Sequence, residues 1–148
     1  MSRVAVIGGG PAGIMAAAAA AGCGHDSVLL EKNEKLGKKL FLTGKGRCNI
    51  TNSCDTDDFF ANIPRNPKFL YSALYGFSNT DIVELINANG VPTKAERGKR
   101  VFPASDKSSD VIKALTRHLN NSGAKLRLNT EVSGIRKAGS GFELTVNG

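Results

Sequence analysis

The chain has no tryptophan, only 6% aromatic residues, three cysteines and two histidines among 148 residues. Cys23, Cys48 and Cys54 are odd in number and lack C-x-x-C spacing, which excludes a disulfide framework and a zinc ribbon and leaves free thiols as the expectation. His25 and His118 have no cysteine or carboxylate at ligand spacing, so no metal site is expected. The longest apolar stretch, the alanines 16–21, is too short and too weakly hydrophobic to span a membrane. The opening M-S-R-V enters a strand directly, without signal-peptide architecture, so the expected location is the cytoplasm. A net charge of +7 and a pI near 9.5 invite a nucleic-acid reading. Against it, Lys32, Lys35, Lys38, Lys39, Lys45 and Arg47 concentrate in one stretch without the interleaved aromatics that base stacking requires. A solvated basic face accounts for most of them.

Glycine, by contrast, is abundant, with 17 residues. Val4 to Gly13 reads V-A-V-I-G-G-G-P-A-G, an apolar run that breaks into glycines and then opens a long alanine-rich helix. Gly8 supplies a sharp turn, Gly10 removes the Cβ that would block phosphates, and Gly13 lets helix and strand pack closely. The free N–H groups and positive end of the helix then face an anion. A second apolar run, Val28-Leu29-Leu30, ends in Glu31, at the distance from the glycines where a carboxylate accepts from ribose hydroxyls. Gly8, Gly9, Gly10, Pro11, Ala12 and Gly13 are therefore assigned to a pyrophosphate and Glu31 to a ribose. Lys32 is placed over adenine or a phosphate, with a plainly exposed lysine as the alternative.

The chain then runs through a long glycine- and lysine-rich stretch, residues 32–52, instead of winding straight back to the sheet. That suits a cofactor held extended along a second length of backbone. Further on, the expected elements are short helices over 55–63 and 66–77, interrupted at Pro64 and Pro67. A helix over 80–89 stops at Gly90, and strands over 91–94 and 99–102 flank a polar turn. A helix follows over 108–121, then a strand at Leu126 and Leu128. Residues 131–136 and 142–146 form a hairpin around Ala138-Gly139-Ser140-Gly141. No linker or repeat marks a second domain.

Three strings, E-K-x-x-x-x-G-K-K-L, T-G-K-G-R-C-N-I-T-N and G-K-R-V-F-P-A-S-D-K-S-S-D-V, resemble the N-terminal part of the BaiN-type, YhiN-like flavoproteins. These are FAD-binding, NAD(P)-dependent oxidoreductases that include bile-acid 3-dehydro-reductases and an aminoacetone oxidase. The resemblance implies an α/β, Rossmann-like two-dinucleotide-binding FAD domain of glutathione-reductase type, with a β-hairpin crossing a parallel sheet. It places Arg47, Cys48 and Asn49 at FAD and the backbone of Val132 against adenine, and Lys39, Gly46 and Asn52 are further cofactor-binding candidates. Arg47 suits phosphate oxygens by its planar fork, and Asn49 and Asn52 suit the polar rim of a flavin. For Cys48 a packed small side chain is the alternative to a redox role.

Family members continue through an A-T-G-G strand and a substrate domain, so residues 1–148 are expected to be the N-terminal part of a longer FAD domain. NAD(P)H is the implied electron donor, and the implied partner is a small-molecule substrate. No side chain is an evident acid or base. Arg100, Phe102 and Pro103 either line the substrate side of the flavin or belong to a structural hairpin. Two other readings stand beside this one: a non-catalytic nucleotide-binding fragment, and a flavin-dependent enzyme acting on RNA.

Overall fold

The computed structural model describes residues 1–147, and Gly148, where the final strand-like run ends, lies outside them. In chain order the elements begin with β1 (Arg3–Ile7), α1 (Pro11–Gly22), β2 (Asp26–Leu30) and a broken 3-10 segment over Lys38–Gly46. There follow β3 (Thr51–Asn52), α2 (Thr56–Ala61), a 3-10 turn over Pro67–Leu70, α3 (Tyr71–Gly76) and α4 (Asn79–Ala88). Then come β4 (Thr93–Glu96), β5 (Arg100–Pro103), α5 (Ser108–Asn121), β6 (Lys125–Arg127), β7 (Glu131–Ala138) and β8 (Gly141–Asn147).

Where the sequence shows one uninterrupted domain, the structure divides into two compact units. The first is Met1–Leu40 together with the chain from Leu115 onward, and the second is Phe41–Ala114. Both junctions fall inside helical segments, the 3-10 segment and α5, so no shift of composition marks them.

In the first unit β1, β2 and β6 form a parallel sheet in the order β1-β2-β6, with Ile7 opposite Leu30 and Leu29 opposite Leu126. Ile14 and Ala17 of α1 and Leu29 of β2 are completely buried. Burial of side chains the size of Ile14 and Leu29 stabilises by about 1.5–3 kcal/mol each, and the alanines let α1 lie close to the strands. The helix ends where Gly24 turns left-handed (φ +80°), the N–H groups of Gly24 and His25 donating to the carbonyls of Ala21 and Ala20. The hairpin β7–β8 is antiparallel, with a bulge at Ser133 between Val132 and Gly134. A cavity of about 1060 Å³ separates the hairpin from the open face of the sheet, lined by Ile7, Leu30, Ile135, Phe142 and Leu144.

The second unit is built on the antiparallel sheet β3-β5-β4. Two-residue β3, which has no readable periodicity, pairs with β5 at Thr51–Val101 and Asn52–Arg100. The helix α4 starts with a capping box, the Asp81 N–H donating to Ser78 Oγ and the Ser78 N–H to Asp81 Oδ2 at 2.6 Å. At α2 the Asp55 carboxylate accepts from the Asp58 N–H at 2.8 Å. Buried Asn79 ties α4 to the β3 region by donating to the carbonyls of Asn52 and Cys54. Among the described residues no helix is long and apolar enough to cross a membrane.

Candidate dinucleotide site

The turn from β1 into α1 has the geometry its glycines imply. Gly8 sits at φ +102°, which side chains rarely adopt, and its N–H extends the sheet by donating to the Leu30 carbonyl at 2.8 Å. A Cβ on Gly13 would collide with the Gly8 carbonyl oxygen and approach Leu29 Cδ1 at 3.4 Å, so this position sets how near α1 comes to the turn. A Cβ on Gly10 would meet nothing within 4 Å. Gly10 is the extended N-cap of α1 (ψ 176°) and makes no side-chain cap, and Pro11 follows at the first helical position. The first i→i−4 bond runs from Ile14 N–H to Gly10 O at 3.0 Å. The N–H groups of Ala12 and Gly13 therefore have no acceptor within the helix.

Gly9 has a role that the glycine spacing alone does not reveal. A Cβ there would run into the buried Leu36 side chain and stand 2.9 Å from Glu31 Oε2. The space is taken because Glu31 reaches back to the turn: Gly9 N–H donates to Glu31 Oε2 at 2.5 Å, and Gly37 N–H donates to the Gly9 carbonyl at 2.8 Å. The other carboxylate oxygen of Glu31 accepts from the Asn33 N–H at 2.8 Å and from its side-chain amide at 2.5 Å. At 7% exposure, burial by itself pushes the Glu31 carboxyl up. The N–H groups of Asn33 and Gly9, the Asn33 amide and the Lys32 charge outweigh it and hold the group below the usual carboxylate range. A carboxylate has about four acceptor positions, so with three internal donors Oε2 keeps capacity for a ribose hydroxyl. The turn over residues 8–13 and the Glu31 carboxylate thus form one bonded piece.

The start of β7 belongs to the same place. Thr130 N–H donates to the Glu31 carbonyl at 2.9 Å and Asn129 N–H to the Asn33 carbonyl at 3.0 Å, which brings Val132 to the carboxyl end of β2. Lys32 is exposed, with its ammonium 4.0 Å from Glu131. Lys39 is exposed at the end of the first unit's chain segment.

The remaining loop residues lie in the second unit, and their side chains bond to partners elsewhere in that unit. Arg47 donates from Nε to Asp106 Oδ1 at 2.9 Å, from Nη2 to the same oxygen at 2.6 Å, and from Nη2 also to Glu96. Its guanidinium lies 4.3 Å from the centroid of the Phe102 ring. Cys48 is buried at 3% exposure, and burial pushes its thiol up, with a smaller opposing effect from Thr43. In the orientation that satisfies both amide atoms, Asn49 donates to the carbonyls of Thr51 and Val101 at 3.0 and 3.2 Å. Asn52 donates to the Gly98 carbonyl at 2.8 Å and accepts from the Cys54 N–H at 2.9 Å. Gly46 (φ +86°) lies beside left-handed Lys45 and Cys48. These side-chain partners stand up to 59 residues away, beyond the reach of any local pattern.

A glycine turn that opens a helix, backed by a carboxylate at the end of the next parallel strand, defines a Rossmann-like dinucleotide domain. The chain matches the model of the HI0933-like protein Rossmann domain over residues 2–148 and belongs to that family, the BaiN-type, YhiN-like flavoproteins that its motifs resemble. It is 33% identical over its whole length to a 3-dehydro-bile acid delta(4,6)-reductase of Clostridium scindens, covering 36% of that protein. Over 97% of its length it is 31% identical to a ribosomal RNA dihydrouridine synthase of Escherichia coli, covering 35% of that one. The chain thus spans about a third of these curated relatives. Among solved structures, THI4 of Thermovibrio ammonificans superposes with a TM-score of 0.63 at 12% identity, over 98% of this chain and 47% of that one, a likeness of fold.

Proposed function

We propose that this chain is the FAD-binding portion of a flavoprotein oxidoreductase that draws electrons from NAD(P)H and reduces a small organic or steroid-like substrate. The observation that carries the reading is the bond between Gly9 N–H and Glu31, which joins a pyrophosphate cradle to a ribose acceptor in one rigid piece. FAD bound there supplies hydride transfer at its N5 position. The residues of the first unit then have separate tasks. Ala12 and Gly13 donate to the pyrophosphate, Gly8 and Gly10 keep the approach clear, Glu31 accepts from the adenosine ribose, and the Val132 backbone lies along the adenine. In the second unit, Asn49 and Asn52 brace the loop that the family resemblance assigns to the flavin. No side chain described here is assigned as the acid or base of the reaction.

The test is purification of the full chain under native conditions. A bound yellow chromophore that is released as FAD, together with FAD-dependent oxidation of NADH or NADPH, is the expected result. A colourless protein that takes up no FAD overturns the reading and leaves the nucleotide-binding fragment.

A second reading, a flavin-dependent enzyme acting on RNA, is favoured by the name of the Escherichia coli relative and by the net charge of +7. Binding through phosphate contacts falls steeply with salt. RNA retention at low salt that is lost on raising it would support this reading, and no retention at low salt would remove it.

A further inference from the structure

We infer that Arg47 is a positioning residue: it latches the loop over residues 43–52 onto Glu96 and Asp106, and is not a phosphate ligand of the cofactor. The inference rests on the reading that this loop serves FAD. Its basis is the bonding of the guanidinium, whose Nε and Nη2 both donate to Asp106 Oδ1 while Nη2 also reaches Glu96. One side chain thereby fastens the loop to the end of β4 and to the turn after β5. Lys94 completes the cluster, with its ammonium 2.7 Å from Asp106 Oδ2 and 3.7 Å from Glu96. Within the bonded cluster two cations face two carboxylates, so the Arg47 charge is balanced there; Arg100, 5.8 Å from the centroid of the same Phe102 ring, donates to the Arg97 carbonyl and takes no part in the cluster's bonds. The stacking of Arg47 on Phe102, which is 4% exposed, fixes the plane of the fork.

The loop has reason to need a latch. Gly44, Lys45, Gly46 and Cys48 all lie at positive φ, between +55° and +86°. Left-handed residues other than glycine persist only where surrounding bonds over-determine them. Backbone bonds hold part of the loop: Cys48 N–H donates to the Thr43 carbonyl, Ile50 N–H to Val101, and Ser53 N–H to Lys99. Arg47 supplies the charged contacts, to strands and a turn that are remote in sequence. The two strings R-C-N-I-T-N and G-K-R-V-F-P-A-S-D are therefore one physical assembly, in which the second holds the first.

The experiment compares Arg47→Ala, Asp106→Asn, their double variant and Arg47→Lys in the full chain. Hydrogen exchange of amides 43–52 is read without FAD, and FAD affinity by titration. A latch predicts that either single variant speeds exchange in the loop and weakens FAD by a similar factor, about ten-fold. It also predicts that the double variant is little worse than the poorer single one. Arg47→Lys keeps the charge but loses the fork, and should recover only part of the loss. If Asp106→Asn leaves exchange and FAD affinity at wild-type values, or tightens FAD, while Arg47→Ala abolishes binding, the arginine serves the phosphate and the latch is wrong. If the wild type takes up no FAD, the proposed function fails, and the exchange data alone decide the latch.

Discussion

The turn over residues 8–13 and the loop over residues 43–52 are both glycine-rich, yet they are held by different means. The turn is held by backbone: Gly8 at φ +102°, a helix starting on Gly10, and a single carboxylate bonded to the Gly9 N–H. The loop also has backbone bonds, but its charged contacts come from a side chain, the one guanidinium that binds Asp106 and Glu96. A site made of main-chain donors is set by where side chains are missing. A loop latched by charges is set by partners brought in by the fold. Substitutions should therefore act differently in the two, through sterics in the turn and through lost pairing in the loop.

The largest effect is expected at Gly13. In Gly13→Ala the new Cβ meets the Gly8 carbonyl, so α1 must move off the turn. Overpacking of this kind costs about 1–3 kcal/mol, measurable by urea unfolding, and FAD binding should be lost with it. Wild-type stability and affinity would show that the close approach of helix and turn is not required.

Glu31→Gln comes next. It keeps the shape of the side chain but removes the charge that accepts from Gly9 and Asn33. Hydrogen bonds to a charged group are worth about 1.5–3 kcal/mol, and this variant should lose stability and FAD affinity together. If only affinity falls, the carboxylate serves the ribose without bracing the turn.

The same group sets a pH dependence. Because the folded protein holds the Glu31 carboxyl below its ordinary 4.5, the folded state binds this proton less readily than the unfolded chain. The stabilisation is therefore complete above about pH 4.5 and is lost as pH falls through the lower folded value. Urea midpoints measured downward from pH 6 should show a loss in the wild type that is smaller in Glu31→Gln; identical slopes would contradict this.

The smallest effect is expected from a cap in the second unit. Ser78→Ala removes half of the capping box on α4 and should cost about 1 kcal/mol, without changing FAD affinity by more than that loss of stability explains. A large loss of FAD would mean that α4 belongs to the site.

What the sequence made legible follows the same division. The strand, glycine turn, helix and second strand of the first unit occur where their residues place them, because apolar runs and glycines act locally. The helices α4 and α5 lie within one residue of their apolar periodicity, and the hairpin turns at Ala138 to Gly141 as its residues indicate. The strand expected over 91–94 is found over Thr93–Glu96, displaced because its register is set by pairing with β5. The short strand β3, the 3-10 segment over Lys38–Gly46 and the partners of Arg47 left no local signal. The steric demand at Gly9 was equally hidden, since Leu36 and Glu31 impose it from outside the motif.

The central claim is that the first unit recognises the adenosine diphosphate half of a dinucleotide, through the turn over residues 8–13 and Glu31. The most direct measurement is calorimetric titration of the full chain, freed of flavin, with FAD and separately with FMN, which lacks the adenosine and one of the two phosphates. Tight FAD binding that weakens about ten-fold or more in Glu31→Gln, with FMN bound far more weakly and indifferent to the substitution, is the predicted result. Comparable affinity for FAD and FMN, or an FAD affinity unchanged in Glu31→Gln, would contradict it.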